Sequence, residues 1–245
     1  MNILYKSLFG DYSKVGLSNK ETRHNWIKQT LKNIPPNLKI LDAGAGEQQF
    51  KPFCAHLVYT SQDFAQYDGK GDGKGIQAKS WDNNSLDIIC DITKMPIDSE
   101  TYDVVLCSEV LHHLPNPIEA IKEMVRVLKP GGTLILTAPF ASLTHFSPFH
   151  FCSGFNRYFY EHWLKEFKCT IKELTYNGNY FEFVAQEVRY ASDVSIKYSG
   201  MKLTLKEKIA QRIYLSFLQK ASEKSPESKE LLPFGLFVVA TKNRI

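Results

Sequence analysis

The chain has 245 residues, a formal net charge of +4 and 43% hydrophobic residues, enough for one α/β domain with an elaboration and far from the concentrated basic patch of a dedicated nucleic-acid binder. Its five cysteines are widely spaced with no CxxC, which argues against a zinc ribbon or a disulfide framework and for free thiols in a reducing cytoplasm. The opening residues MNILYKSLFGDYSK hold too short an apolar stretch for a leader, and no run of 18 apolar residues occurs, so stable membrane insertion is not expected.

Taken in order, Ser18 to Asn33 reads as an amphipathic helix with a Ser18/Glu21 capping pair and Trp26, Ile27, Leu31 and Ile34 on one face. Pro35-Pro36 ends it. Leu38 to Phe50 (LKILDAGAGEQQF) then reads as a buried strand ending at Asp42, followed by a tight turn through Gly44 and Gly46. The next helix must be short, with Pro52 in its first turn. His56 to Gln62 is a second strand, ending at Asp63. Tyr67 to Lys79 carries four alternating glycines and reads as a flexible surface loop or, alternatively, a lid.

Leu86 to Cys90 is a third strand, with Asp91 after it, and Tyr102 to Cys107 a fourth, followed by Ser108-Glu109. The spacing of Ile118, Ile121, Val125 and Leu128 predicts a helix over Pro117 to Lys129, stopped by Pro130-Gly131-Gly132. Thr133 to Ala138 is a fifth strand. From Phe140 to Trp163 nine aromatics are interleaved with His145, His150, Arg157 and His162. A sixth strand falls at Thr170 to Leu174. A surface helix over Leu203 to Leu218 follows, with Leu205, Ile209, Ile213 and Phe217 at steps of four and a solvated charged face. Ser222 to Lys229 is a polar loop, and Leu236 to Ala240 a last strand. Strands alternating with helices predict a parallel sheet with right-handed crossovers.

Four acids stand at strand ends: Asp42, Asp63, Asp91 and Glu109. Open α/β sheets bind ligands outside the carboxyl ends of their strands, and Asp63 lies 19 residues after Gly44, near the separation at which an acid grips a ribose diol. The residues point to a nucleoside-containing cofactor. A GxGxxG fingerprint would need glycine at Gln49, which disfavours NAD or FAD and leaves an NAD-dependent oxidoreductase the weaker alternative.

ILDAGAGEQQ, then Asp63, then CDITKMPIDSETYDVVLCSEVLHHLPNPIEAIKEMVRVLKPGGTLILTAP resembles the class I S-adenosylmethionine-dependent methyltransferases, in their small-molecule branch. The resemblance covers Leu38 to Phe140. It implies a Rossmann-like α/β fold: a seven-stranded, mostly parallel sheet, helices on both faces and a C-terminal helical and aromatic insertion. The whole chain would be one domain, with a helical cap over 1–37, a cofactor core over 38–140 and a substrate-side segment over 141–245. The implied cofactor is S-adenosyl-L-methionine, held by Asp42, Gly44, Ala45, Gly46, Asp63, Phe64, Asp91, Ile92 and Ser108. In that pattern Gly44 and Gly46 meet the methionine and sugar portion, Asp63 the ribose, Asp91 and Ile92 the adenine, and Ser108 lies near the sulfonium. Gln48 stands where the family has its third glycine.

Methyl transfer needs donor and acceptor aligned, and a hydroxyl acceptor benefits from a histidine base. His113, ahead of His112, is the expected catalytic group, because the resemblance matches Leu114 to the apolar residue that follows a site histidine. The pair does not read as a metal site: neighbours point in different directions and no third ligand is evident. His145, His150, Arg157 and Tyr158 are the expected substrate-binding residues. The site after the fourth strand reads CSEV, without the (N/D)PP(Y/F) of base-amine methylation, so nucleic acid is not the expected substrate. The expected function is O-methylation, with N-methylation open, of a sugar-like or hydroxylated metabolite in a cytoplasmic biosynthetic pathway. A homodimer is compatible with this. The rival is a non-catalytic scaffold of the same fold.

Overall fold

The computed structural model describes residues 14–244; the reading of the first thirteen residues as lacking a leader lies outside them. One seven-stranded sheet has the order β3-β2-β1-β4-β5-β7-β6, with β1 at Lys39–Ala43, β2 at Val58–Asp63, β3 at Ile88–Ile89, β4 at Tyr102–Ser108, β5 at Leu128–Pro139, β6 at Cys169–Asn177 and β7 at Gly235–Lys242. The pairs β1–β2, β1–β4, β2–β3 and β4–β5 are parallel and β5–β7 is antiparallel. The mostly parallel sheet is therefore present, and the strand order reverses beside β1 and β4, where such sheets open a crevice for ligand.

The described chain divides into two compact units. The larger holds His24–Thr175 and Gly235–Ile245, and within it both sheet faces are buried. Ile40, Val104, Leu106 and Ile135 point to one face and pack with Ile27 and Leu31 of α1, Asn19–Lys32. Leu41, Val105, Leu134 and Leu136 alternate to the other face and are equally inaccessible. Trp26, predicted on the apolar face of α1, stacks on Phe237 at 4.9 Å and donates to Glu173.

After β1 the helix is short, as expected: a 3-10 helix over Lys51–Cys54 with Pro52 in its first turn. Two boundaries differ from expectation. Strand β3 shrinks to two residues because it lies at the sheet edge, where Asp87 accepts from the Ser61 backbone N–H and hydroxyl and leaves Ile89 exposed. Helix α2 spans Pro117–Val127 and stops at Leu128, which turns extended and opens β5, so KPGG belongs to the strand rather than to a helix stop.

The smaller unit contains residues 14–23 and Tyr176–Phe234. It carries a helix absent from the sequence reading, α4 at Tyr180–Ser199, and α5 at Leu205–Lys224, capped by a Thr204/Glu207 box. Here the sequence reading of α5 is overturned. Leu205, Ile213 and Phe217 are more than half exposed, and the buried positions are Leu215, Ser216 and Leu218. Leu215 and Leu218 pack with Val15 and Ala185; the step of four picked the wrong face because both faces of α5 carry apolar residues. The intervening helix α3 is Arg157–Glu166, in the larger unit. Among the described residues no helix is long and apolar enough to cross a membrane, and no cysteine forms a disulfide.

Candidate active site

The glycine turn is held from two sides. The N–H groups of Gly44 and Ala45 both donate to the Gln62 carbonyl at 2.8 Å. Asp63 accepts the Gly46 N–H at 3.0 Å and the Ala65 N–H at 2.9 Å, so this predicted ribose ligand also sets the turn. Gly44, Gly46 and Gln48 all have positive φ, at 75°, 51° and 56°. The third family glycine is thus replaced by glutamine without loss of the left-handed backbone that favoured glycine. Gln48 holds that conformation through bonds to Ser85 and from Lys51.

Asp42 is an internal residue of β1, 2% exposed, rather than the end of the strand. Tyr59 donates to it at 2.7 Å. Burial pushes its carboxyl up to about 7, against the hydrogen bond from Tyr59 and together with the nearby Asp63 charge. Its contact with Tyr59 ties β1 to β2. Asp91 lies beyond β3, exposed, accepting from the Thr93 N–H and hydroxyl, with Ile92 buried beside it. Ser108 bonds Thr137 at 2.9 Å, and Thr137 donates to Glu109.

Above the turn lies an aromatic chain that the sequence did not disclose. The space a Cβ at Gly46 would need is filled by the Trp81 ring, 2.6 Å from that position. Trp81 meets Tyr67 and Phe146 edge-on at 5.6 and 5.3 Å, Tyr67 stacks on Phe146 at 4.6 Å, and Phe146 stacks on His113 at 5.3 Å. Phe64 sits edge-on to Phe149 at 4.9 Å. The glycine-rich loop braces this chain: Ile76 pairs with His145, and Cβ atoms at Gly71 or Gly75 would strike the Ser147 or Thr144 carbonyl. The glycines are spacing residues for backbone-to-backbone packing. The flanking aromatics Tyr67 and Trp81 were the available signal.

The histidines converge. His112, fully buried, and His113 form a 3-10 turn after β4. The Nε2 atoms of His112 and His145 are 3.1 Å apart, and His150 stands 4.9 Å from His145 between ring centroids. His113 Nδ1 donates to the Phe149 carbonyl, which leaves its Nε2 as an acceptor. Burial, aided by His145, pushes the His113 imidazole down to about 3. It is therefore neutral and a weak proton acceptor, better suited to orienting a hydroxyl than to taking a full proton at pH 7. The expectation that no third histidine accompanies the pair is overturned, since a loop 33 positions away supplies His145.

Arg157 and Tyr158 are placed differently. Arg157 opens α3 and spends its guanidinium on Glu161 at 2.7 and 3.0 Å. Tyr158 is 70% exposed with Arg157 over its ring, so it is a surface side chain rather than a wall of the site.

These observations define a Rossmann-like fold whose crevice carries a glycine turn, strand-end acids and a histidine cluster. Residues 41–136 match the family described as Methyltransferase domain, and that segment is similar to the class I S-adenosylmethionine-dependent methyltransferases. Cycloartenol-C-24-methyltransferase 1 of Oryza sativa subsp. japonica is 30% identical over 114 residues, 44% of this chain and 33% of that protein. Demethylmenaquinone methyltransferase of Lysinibacillus sphaericus is 26% identical over 54% of this chain and 58% of its own. The Homo sapiens protein named probable tRNA methyltransferase 9B is 40% identical over 45% of this chain and 23% of its own. The matches to the rice protein, to an algal sterol methyltransferase-like protein and to two fungal synthases span a third or less of those relatives. Among solved structures, the [4+2]-cyclase SpnF has a TM-score of 0.57 at 14% identity, covering 94% of this chain and 85% of its own. Phosphoethanolamine N-methyltransferase 2 of Haemonchus contortus with S-adenosyl-L-methionine has 0.52 at 15%, covering 98% and 56%.

The residues present fit S-adenosylmethionine: the glycine turn after β1, the Asp63 carboxylate at the end of β2, and Asp91 with Ile92 just beyond β3 stand at the carboxyl edge of neighbouring parallel strands.

Proposed function

We propose that the chain methylates a hydroxyl of a small molecule, using S-adenosylmethionine as donor. The observation that carries this is His113: its Nδ1 is committed to the Phe149 carbonyl, and an aromatic bridge of Phe146 and Trp81 links its ring to the glycine turn. When bound, the cofactor supplies a methyl group on a positively charged sulfur. The turn through Gly44 and Gly46 borders the donor, Asp63 offers a carboxylate for the ribose diol, and Asp91 with Ile92 the adenine contact. His113 Nε2 accepts a hydrogen bond from the acceptor hydroxyl and orients its oxygen. Phe146, Trp81 and Tyr67 exclude water and present ring faces to a cationic or flat group. His145 and His150 border the acceptor side.

Calorimetric titration with S-adenosylmethionine and its demethylated product tests the donor half, and no binding would leave only the scaffold reading. Transfer of labelled methyl from the cofactor to a panel of hydroxylated small molecules, amines and tRNA tests the acceptor half. The expected outcome is labelling of hydroxyl compounds, reduced at least about tenfold in His113→Ala with cofactor binding intact. Labelling of tRNA or of amines alone, or unchanged turnover in His113→Ala, would sink that half.

A further inference from the structure

We propose that His112, His113 and His145 form a binding site for a zinc-class divalent metal ion, with an open coordination position beside His150 for an oxygen ligand. Each of the three offers a ring nitrogen, and these nitrogens all lie within 4.8 Å of one another. Imidazoles sharing one tetrahedral ion at about 2.0–2.1 Å place their nitrogens about 3.3 Å and their ring centres about 5 Å apart. Here the His112–His145 nitrogens are 3.1 Å apart. The centroids of the three rings are separated by 4.0, 5.0 and 4.7 Å. The cluster needs only side-chain adjustment to close on an ion.

Two of the three rings, those of His113 and His145, are also oriented as ligands are. A metal-binding histidine commonly donates its other N–H to a carbonyl, which fixes the tautomer. His113 Nδ1 donates to the Phe149 carbonyl and His145 Nδ1 to the Leu143 carbonyl at 2.8 Å, so each presents Nε2 as a lone pair. The His112 carbonyl accepts from the Phe151 and Cys152 N–H groups, tying the two segments together. His145 is held in place by the Ile76 bridge. No carboxylate belongs to the group, which selects imidazole-seeking ions such as zinc over calcium or magnesium.

His150 lies wider, 5.8 and 6.0 Å from His112 and His113 between centroids, and its buried Nδ1 has no hydrogen-bond partner. It borders the remaining position and suits a water or hydroxyl bound there. A three-histidine ion carries its full double charge and favours an oxygen ligand with anionic character. That ligand is the acceptor hydroxyl, which the bound ion then orients in place of a hydrogen bond to His113 Nε2; this role rests on the methyl-transfer reading, and ion binding itself does not.

The test uses untagged full-length protein stripped with chelator, dialysed against zinc and analysed for bound metal, with cobalt substituted for its visible spectrum. One ion per chain and a tetrahedral cobalt spectrum are expected, unchanged in His24→Ala. In His145→Ala affinity should fall by about 100-fold; His145 is half-buried in a loop, and His145→Gln serves if the alanine variant fails to fold by circular dichroism. Sub-stoichiometric zinc at micromolar concentration, or equal binding in the His145 variant, would overturn the site. Titration of the same samples with S-adenosylmethionine separates the readings: cofactor binding without zinc binding removes only this inference.

Discussion

The six-membered ring of Trp81 occupies the place where a side chain on residue 46 would have to be, with Cζ2 only 2.6 Å from the Cβ that Gly46 lacks. Gly46 also has φ of 51°. Gly46→Ala should therefore cost about 1 kcal/mol in backbone strain plus the displacement of the indole, and weaken cofactor binding at least about tenfold. The steric part has its own signature. In a double-mutant cycle of Gly46→Ala with Trp81→Ala, read by thermal unfolding, the double variant should be more stable than the sum of the singles predicts. Additive effects would mean that the contact does not matter.

Gln48 offers the opposite experiment. Its φ of 56° strains any residue but glycine, while its side chain bonds Ser85 and Lys51. Gln48→Gly loses the bonds and relieves the strain; Gln48→Ala loses the bonds and keeps the strain. The glycine variant should be the more stable of the two by about 1 kcal/mol in chemical denaturation. The reverse order would mean that the left-handed backbone at residue 48 costs less than the extra freedom glycine gives the unfolded chain.

Asp42 predicts an unusual pH dependence. Its carboxyl is raised to about 7 in the folded chain, chiefly by burial, so the unfolded chain gives up this proton first. Its contribution is therefore most favourable below the ordinary carboxylate value, is lost as pH rises from about 4 to about 7, and is constant above. The gap corresponds to about 4 kcal/mol as an upper bound. Asp42→Asn retains a partner for Tyr59 and removes the titration. Its stability relative to the native chain should rise across that interval in denaturation measured at a series of pH values without cofactor. A constant difference would show that Asp42 titrates normally.

Glu123 ties helix α2 to the loop after β3. It accepts the Met95 N–H at 2.7 Å and pairs with Arg126 through two bonds of 2.8 Å, while Arg126 donates to the Met95 carbonyl. This clamp sits three residues beyond Ile92. Glu123→Ala should cost about 1–3 kcal/mol, since it strands a backbone donor and a half-buried guanidinium. It should also raise the dissociation constant for S-adenosylmethionine several-fold. An unchanged melting temperature would mean the clamp is redundant.

The comparison of chain and fold is uneven in an instructive way. The core strands were legible because a buried parallel strand is a short apolar run, as in LKIL and YDVVLC, and its end is marked by an acid or a glycine turn. Helix α4 was not legible, since FEFVAQEVRYASDVSI has no single apolar stripe, and α5 was assigned its face wrongly because apolar side chains lie all round it. The edge strand β3 was overestimated, as local propensity does not report which strand lacks a neighbour.

The site divides along the same line. Local sequence by itself determined the glycine turn, the places of Asp63 and Asp91 at or just after strand ends, and the resemblance to methyltransferases, since each depends on residues adjacent in the chain or at a set strand spacing. Only the tertiary structure decided that Trp81 covers Gly46, that Tyr59 buries Asp42, and that His145 meets His112 and His113. Those contacts join segments 17 to 35 positions apart, and they exist because the loops at one sheet edge must pack on each other to exclude water. That requirement brings side chains together by geometry, and no local pattern records it.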